Sequence, residues 1–185
     1  CNDGSGGLVD FVPTATDQGL FSCKYDAESL SVTLSNNVQT ISNYMFTGTN
    51  IESITIPGSV TTIGNGAFGS CFKLASIRFE GSATPLTIGF QPGPLEVGPF
   101  YNSPLTSIYV NRELVASQEY AAARDQADEG IFSTKSNSRN VTVTLQGNVK
   151  TISDYMFSGV NMQTIWIPRE VTSIGKMAFK NCSQL

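Results

Sequence analysis

The chain repeats itself, and nothing else in it constrains the fold as strongly. Sliding the 185-residue sequence by 111 positions sets 17–74 against 128–185, and 29 of the 58 aligned positions are identical. The run Val38-Gln39-Thr40-Ile41-Ser42-Asn43-Tyr44-Met45-Phe46 meets Val149-Lys150-Thr151-Ile152-Ser153-Asp154-Tyr155-Met156-Phe157. A finer period lies inside the larger one. Phe recurs at 21, 46, 68, 100, 132, 157 and 179, after steps of 25, 22, 32, 32, 25 and 22, so seven of the 11 Phe residues mark one structural position.

Each unit opens with apolar residues two apart: Val32/Leu34, Ile54/Ile56, Ile77/Phe79, Ile108/Val110, Val143/Leu145 and Ile165/Ile167. That alternation predicts a short strand with one face buried. A turn follows, such as Pro57-Gly58-Ser59, then a second extended piece, Val60–Gly64 or Val171–Gly175. The unit closes on Ala67-Phe68 or Ala178-Phe179, read as a tight helical turn. A unit this short buries its apolar side only against neighbours, so the units must stack into a solenoid with one continuous core.

The full pattern, Leu-x-Ser-Ile-x-Ile-Pro-x-x-Val-Thr-x-Ile-Gly-x-x-Ala-Phe-x-x-Cys, resembles the BspA-like leucine-rich repeats of bacterial surface proteins at residues 51–71 and 162–182. The segment Pro99–Val110 is similar to the joint between coils in that family, and the resemblance covers about 17–185. It implies a β-rich leucine-rich-repeat solenoid with a curved parallel sheet, short helical turns and about seven coils. It also implies a surface-exposed, non-enzymatic protein that binds host or other cell-surface proteins, without a cofactor. Residues 1–16 are expected to be a flexible tether ahead of a solenoid spanning 17–185.

Two stretches depart from the short unit. Residues 80–99 carry Pro85, Pro92, Pro94 and Pro99, as in a looped-out insertion. Residues 113–128 are strong helix formers, with Asn111 as a cap and Gly130 as a stop, and predict one helical insertion. At the far end, Asn181–Leu185 stops where Leu74 runs on into Ala75–Phe79, with no polar cap in view. The expectation is a longer parent chain, or an edge that pairs with another molecule.

Composition removes whole classes of chemistry. There is no His, which excludes Ser-His-Asp and Cys-His catalysis and His-ligated metal. A net charge of −4 leaves no basic footprint for nucleic acid. The carboxylates Glu113, Glu119, Asp125, Asp128 and Glu129 lie along the expected helix, where they read as a solvated face and not a catalytic pair. Cys71 and Cys182 share one slot five coils apart, about 24 Å at about 4.8 Å per strand, too far for a disulfide. Cys23 lies two coils from Cys71, so no pair fits and these thiols read as small core residues. Asn140-Val141-Thr142 and Asn181-Cys182-Ser183 match a glycosylation pattern by chance, at positions where Asn serves a turn. No stretch reaches the length of about 18–20 apolar residues that spans a bilayer. Membrane contact is expected only through a lipid on Cys1, which precedes the tether Asn2-Asp3-Gly4-Ser5-Gly6-Gly7 as in a lipoprotein.

The outward strand positions carry the functional reading. One column is Ser31, Ser53, Ser76, Ser107, Thr142 and Thr164, a solvated hydroxyl ladder. The next is Thr33, Thr55, Arg78, Tyr109, Thr144 and Trp166, which presents the only Trp, a Tyr and an Arg to solvent. These residue types are enriched at binding hot spots, so Arg78, Tyr109 and Trp166 are the candidate ligand-binding residues. A protein partner fits best. A glycan, favoured if the two aromatics lie open side by side, and a pure spacer role are the alternatives.

Overall fold

The computed structural model describes residues 30–89, 98–117, 130–133 and 140–185. Eleven short strands follow in chain order: β1 (Thr40–Ile41), β2 (Ser53–Ile56), β3 (Thr62–Ile63), β4 (Ser76–Phe79), β5 (Leu86–Ile88), β6 (Ser107–Val110), β7 (Leu114–Ala116), β8 (Thr142–Leu145), β9 (Thr151–Ile152), β10 (Ile165–Trp166) and β11 (Ser173–Ile174). The first strand of each coil joins a five-stranded sheet in the order β10-β8-β6-β4-β2. The second strands form β1-β3-β5-β7 and a separate pair, β11-β9. Every pairing is parallel, because each coil returns the chain to its start one strand spacing further along. This is a β-rich leucine-rich-repeat solenoid. Four of the six alternating pairs enter the first sheet whole and a fifth through Ile165 alone; Val32/Leu34 does not, and its segment is tied to the next coil by one bridge, Leu30 to Ile51.

Phe sets the coil repeat. Phe46, Phe68, Phe100, Phe132, Phe157 and Phe179 stack in one row with centroids 5.3–5.8 Å apart and planes within 14° of parallel. Phe21, the seventh of the series, lies outside the described residues, as do Cys1, Cys23 and the tether. The apolar strand residues Ile54, Ile56, Ile63, Ile77 and Phe79 join the Phe row in one core cluster. Phe79 stands edge-on to Phe100 and Phe132 and ties the strand side of the core to the ring stack.

The closing segments are not helical turns. At 42–49, three overlapping turns bond Met45 to Ser42, Thr47 to Tyr44 and Thr49 to Phe46, the i to i−3 spacing a tight helix would give. Tyr44 and Gly48, however, have φ of 57° and 72°, which breaks any helical run. The reversal turns the N–H groups of Tyr44, Phe46 and Gly48 onto the carbonyls of Asn65, Ala67 and Gly69 in the next coil. Turns that bond only to themselves would leave these donors unpaired in the stack. Asn140 and Asn181 also have positive φ, in keeping with a turn role.

The helix expected from 113 is corrected at its start. Leu114–Ala116 is strand β7, because pairing with β5 places Leu114 in the core and outweighs local helix propensity. Residues 118–129 of that insertion lie outside the described residues, as do 90–97 of the other. Glu113, read from sequence as part of a solvated helix face, instead accepts the backbone N–H groups of Lys150 and Thr151. In the coil of β3, the equivalent donors Thr61 and Thr62 bond to the Gln39 carbonyl. A carboxylate thus stands in for a backbone acceptor where the second sheet is interrupted between β7 and β9.

Among the described residues, the largest fully buried side chain is Arg112. Its guanidinium donates to the carbonyls of Val60 (2.8 Å) and Thr84 (2.6 Å), with Pro57 at 3.4 Å, so one residue fastens three coils. Burial pushes its pKa down from the ordinary arginine value.

Cys71 and Cys182 are free thiols separated by four coil steps, one fewer than the five counted from sequence. Their role is to close hydrogen bonds: the Cys71 thiol donates to the Phe46 carbonyl (3.0 Å) and the Cys182 thiol to that of Phe157 (3.1 Å). Ser103 fills the same slot and donates to Phe68 (2.6 Å). Burial pushes both thiols up in pKa, Cys71 from the more enclosed site. Cys71 favours the protonated thiol when folded, so its contribution is full below the unfolded thiol pKa and is lost as pH rises through the folded one. At pH 7.5, alkylation mapped by mass spectrometry should leave Cys71 at least about tenfold slower in the folded protein than in denaturant. Stability should also begin to decline as pH rises past the ordinary thiol value of about 8.5. Rapid native labelling at Cys71 would contradict this placement.

The coils approach closely at Gly64. A Cβ there would sit 2.3 Å from Asn43 Oδ1 and 2.5 Å from the Asn43 backbone nitrogen. Asn43 cannot withdraw, since its Oδ1 accepts the Asn65 N–H at 2.8 Å. Gly64→Ala should cost about 1–3 kcal/mol. Thermal denaturation should show it as a Tm loss of roughly 2–10 °C, and an unchanged Tm would refute the clash.

Candidate binding face

The pairing of the first sheet sets the outward columns. Ser53, Ser76, Ser107 and Thr142 are register partners in turn, as the alternation predicts. The second column runs Thr55, Arg78, Tyr109, Thr144 and Trp166, again in direct register. Thr33 and Ser31 belong to the segment that stays off the sheet. There, among the described residues, a cleft of about 330 Å³ opens between 31–34 and β2, with Thr55 and Glu80 on its wall.

Two of the three candidate residues are brought into contact. The Arg78 guanidinium lies 3.6 Å from the Tyr109 ring centroid, a cation–π stack across neighbouring strands. Arg78 Nε donates to Glu80 Oε1 at 2.6 Å, and this bond raises the guanidinium pKa further. Arg78 is therefore held from two sides on an exposed surface. Glu80 was missed in the sequence reading, although period-two spacing places it on the same face as Arg78.

Trp166 stands apart from that pair. Thr144 lies between Tyr109 and Trp166 in the column, so the two aromatics are two strands apart. Trp166 is 71% exposed, the most exposed large apolar side chain described. It replaces Thr55 of the first copy, a change from a small β-branched residue to the largest side chain at a solvent position. Cys1, the candidate lipid-attachment residue, lies outside the described residues.

Among the described residues, no group of three or more His, Cys, Asp or Glu side chains could hold a metal ion. No described helix is long and apolar enough to cross a membrane. What the surface offers is a hydrogen-bonded parallel sheet carrying a clamped cation, a Tyr and a projecting Trp.

Comparison with known families accounts for this architecture. A family model described as BspA type Leucine rich repeat region matches in six copies, over residues 17–124 and 95–185. The chain belongs to the BspA-type leucine-rich repeat family. No curated protein and no solved structure matches it. Leucine-rich repeats form a repeat scaffold often used for protein binding.

Proposed function

We propose that this BspA-type solenoid is a non-enzymatic adhesion module that binds a host or cell-surface protein through the outer face of its first sheet. The observation that carries this reading is the single column joining Arg78, Tyr109 and Trp166 on a parallel sheet whose registers are fixed strand by strand. Trp, Tyr and Arg dominate hot spots, and a face held by backbone ladders is ordered before the partner arrives. Little binding energy is then lost in fixing the platform. The family supports a place at the bacterial cell surface, with Cys1 as the residue that would carry a lipid. Intact-mass measurement of the native protein tests that attachment: acyl chains on Cys1 support it, and an unmodified Cys1 rejects it.

The glycan alternative loses ground to the geometry. Sugar rings stack on open aromatic faces, whereas the guanidinium of Arg78 covers one face of Tyr109 and Thr144 parts it from Trp166. A protein loop can instead pair with the clamped cation and pack on Trp166 in one footprint. A pure spacer would have no use for a Trp held in solvent.

A screen against matrix and cell-surface proteins and a glycan panel, with Trp166→Ser and Tyr109→Ser as paired variants, separates these readings. Each change should weaken binding of a captured protein by roughly tenfold or more, with the melting temperature nearly unchanged. A ligand bound equally well by the double variant would reject the patch.

A further inference from the structure

The 111-residue duplication supplies an internal control for the cleft beside β2. Residues 31–34 and 142–145 are equivalent, and each of the four positions keeps its type: Ser31/Thr142, Val32/Val143, Thr33/Thr144 and Leu34/Leu145. Both segments start in the same register, with the Leu30 N–H on the Asn50 carbonyl and the Val141 N–H on the Asn161 carbonyl. In the second copy the pairing continues, Val143 with Ile165 and Thr144 with Trp166. In the first it stops at the bridge of Leu30 to Ile51, and the cleft of about 330 Å³ opens where the ladder would run. Described coils bound it on both sides: 31–34 form one wall, β2 the other, and Glu80 reaches it from the coil beyond β2.

The lining of this cleft is mixed. Val32, Leu34 and Ile54 supply apolar surface, Thr33 and Thr55 supply hydroxyls, and Glu80 is the only charged side chain among the described residues that line it. Arg78 Nε holds Glu80 Oε1 at 2.6 Å, and the guanidinium itself lies across the Tyr109 ring, so the carboxylate is oriented from one side. Its other oxygen takes no hydrogen bond among the described residues.

We propose that the cleft is an anchoring subsite for a lysine side chain of the protein partner. The aliphatic stem lies along Val32, Leu34 and Ile54, and the ammonium reaches the open oxygen of Glu80; an apolar stem with a charged tip needs such a divided lining. At about 330 Å³ the cleft stands at the small end of ligand pockets, which suits one side chain better than an oligosaccharide. Lysine fits better than arginine. A guanidinium pairs best with both oxygens of a carboxylate, and Arg78 already holds one, whereas an ammonium is a point charge that a single oxygen can meet. Among the described residues, no backbone hydrogen bond joins 31–34 to β2, so carbonyls that a ladder would use can take the remaining ammonium N–H groups. The subsite rests on the adhesion reading for its partner being a protein, and it deepens that reading. Thr55 is the register partner of Arg78, so a lysine in the cleft and a loop packed on the outer column belong to one footprint.

The peptide acetyl-Gly-Gly-Lys-Gly-Gly-amide, titrated into the intact protein, isolates the subsite. In proton–nitrogen correlation spectra the amides of 31–34, 53–56 and Glu80 should shift and saturate, with a Kd on the order of 1 mM. A norleucine peptide keeps the stem without the ammonium, and Glu80→Gln keeps an acceptor for Arg78 without the charge. Either change should weaken binding about fivefold or more, and an arginine peptide should bind less tightly than the lysine one. The norleucine arm uses the parent protein, so it stands even where the variant fails to fold. Absence of saturable shifts, shifts confined to other surfaces, or equal binding of the norleucine or arginine peptide overturns the proposal. The titration contains no adhesion partner, so its failure would sink the subsite and leave the column of Arg78, Tyr109 and Trp166 to be judged by its own variants.

Discussion

The distance from one coil to the next governs everything else in this protein. Two rows enforce it from opposite sides of the core: the stacked rings of Phe46 through Phe179, at 5.3–5.8 Å, and the parallel ladders, whose strands are about 4.8 Å apart. Rings stand slightly farther apart than strands, and the offset stacking of aromatic faces absorbs that difference. Once both rows hold, little freedom remains elsewhere. Gly64 and Gly175 must lack a side chain because Asn43 and Asp154 of the preceding coil fill the space. The slot three residues beyond the Phe must hold a small donor, as Cys71, Ser103 and Cys182 do, because the carbonyl of the preceding Phe points at it.

Where the unit grows longer, the spacing survives through side chains that replace lost backbone contacts. Glu113 takes two N–H groups that a carbonyl takes elsewhere, and Ser153 Oγ donates to the Leu114 carbonyl at 2.6 Å across the same interruption. Arg112 ties carbonyls of two other coils to its own. A buried guanidinium is costly, and its Nε has no hydrogen-bond partner here. Among the described residues it neutralises no acid. Its three carbonyl contacts fix how the long coils sit on the short ones, which no apolar residue of that size could do.

The parts of this fold that were readable in the sequence are those that repeat. A Phe at fixed steps and Ile at alternate positions carry their spacing on their face, and from them follow the ring stack, the first sheet and the partners of Arg78 and Tyr109. Individual compensations do not repeat and so leave no period. Arg112 and Glu113 are ordinary surface residues by type, and only the coils around them make one a core staple and the other a strand acceptor. The segment 113–117 shows the same limit differently: its local propensity is helical, while its register opposite β5 is strand, and register prevails because it buries Leu114. The turn runs fall between these cases. Their i to i−3 bonds look helical over any four residues, and only the positive φ at Tyr44 and Gly48 shows that every second N–H is reserved for the next coil.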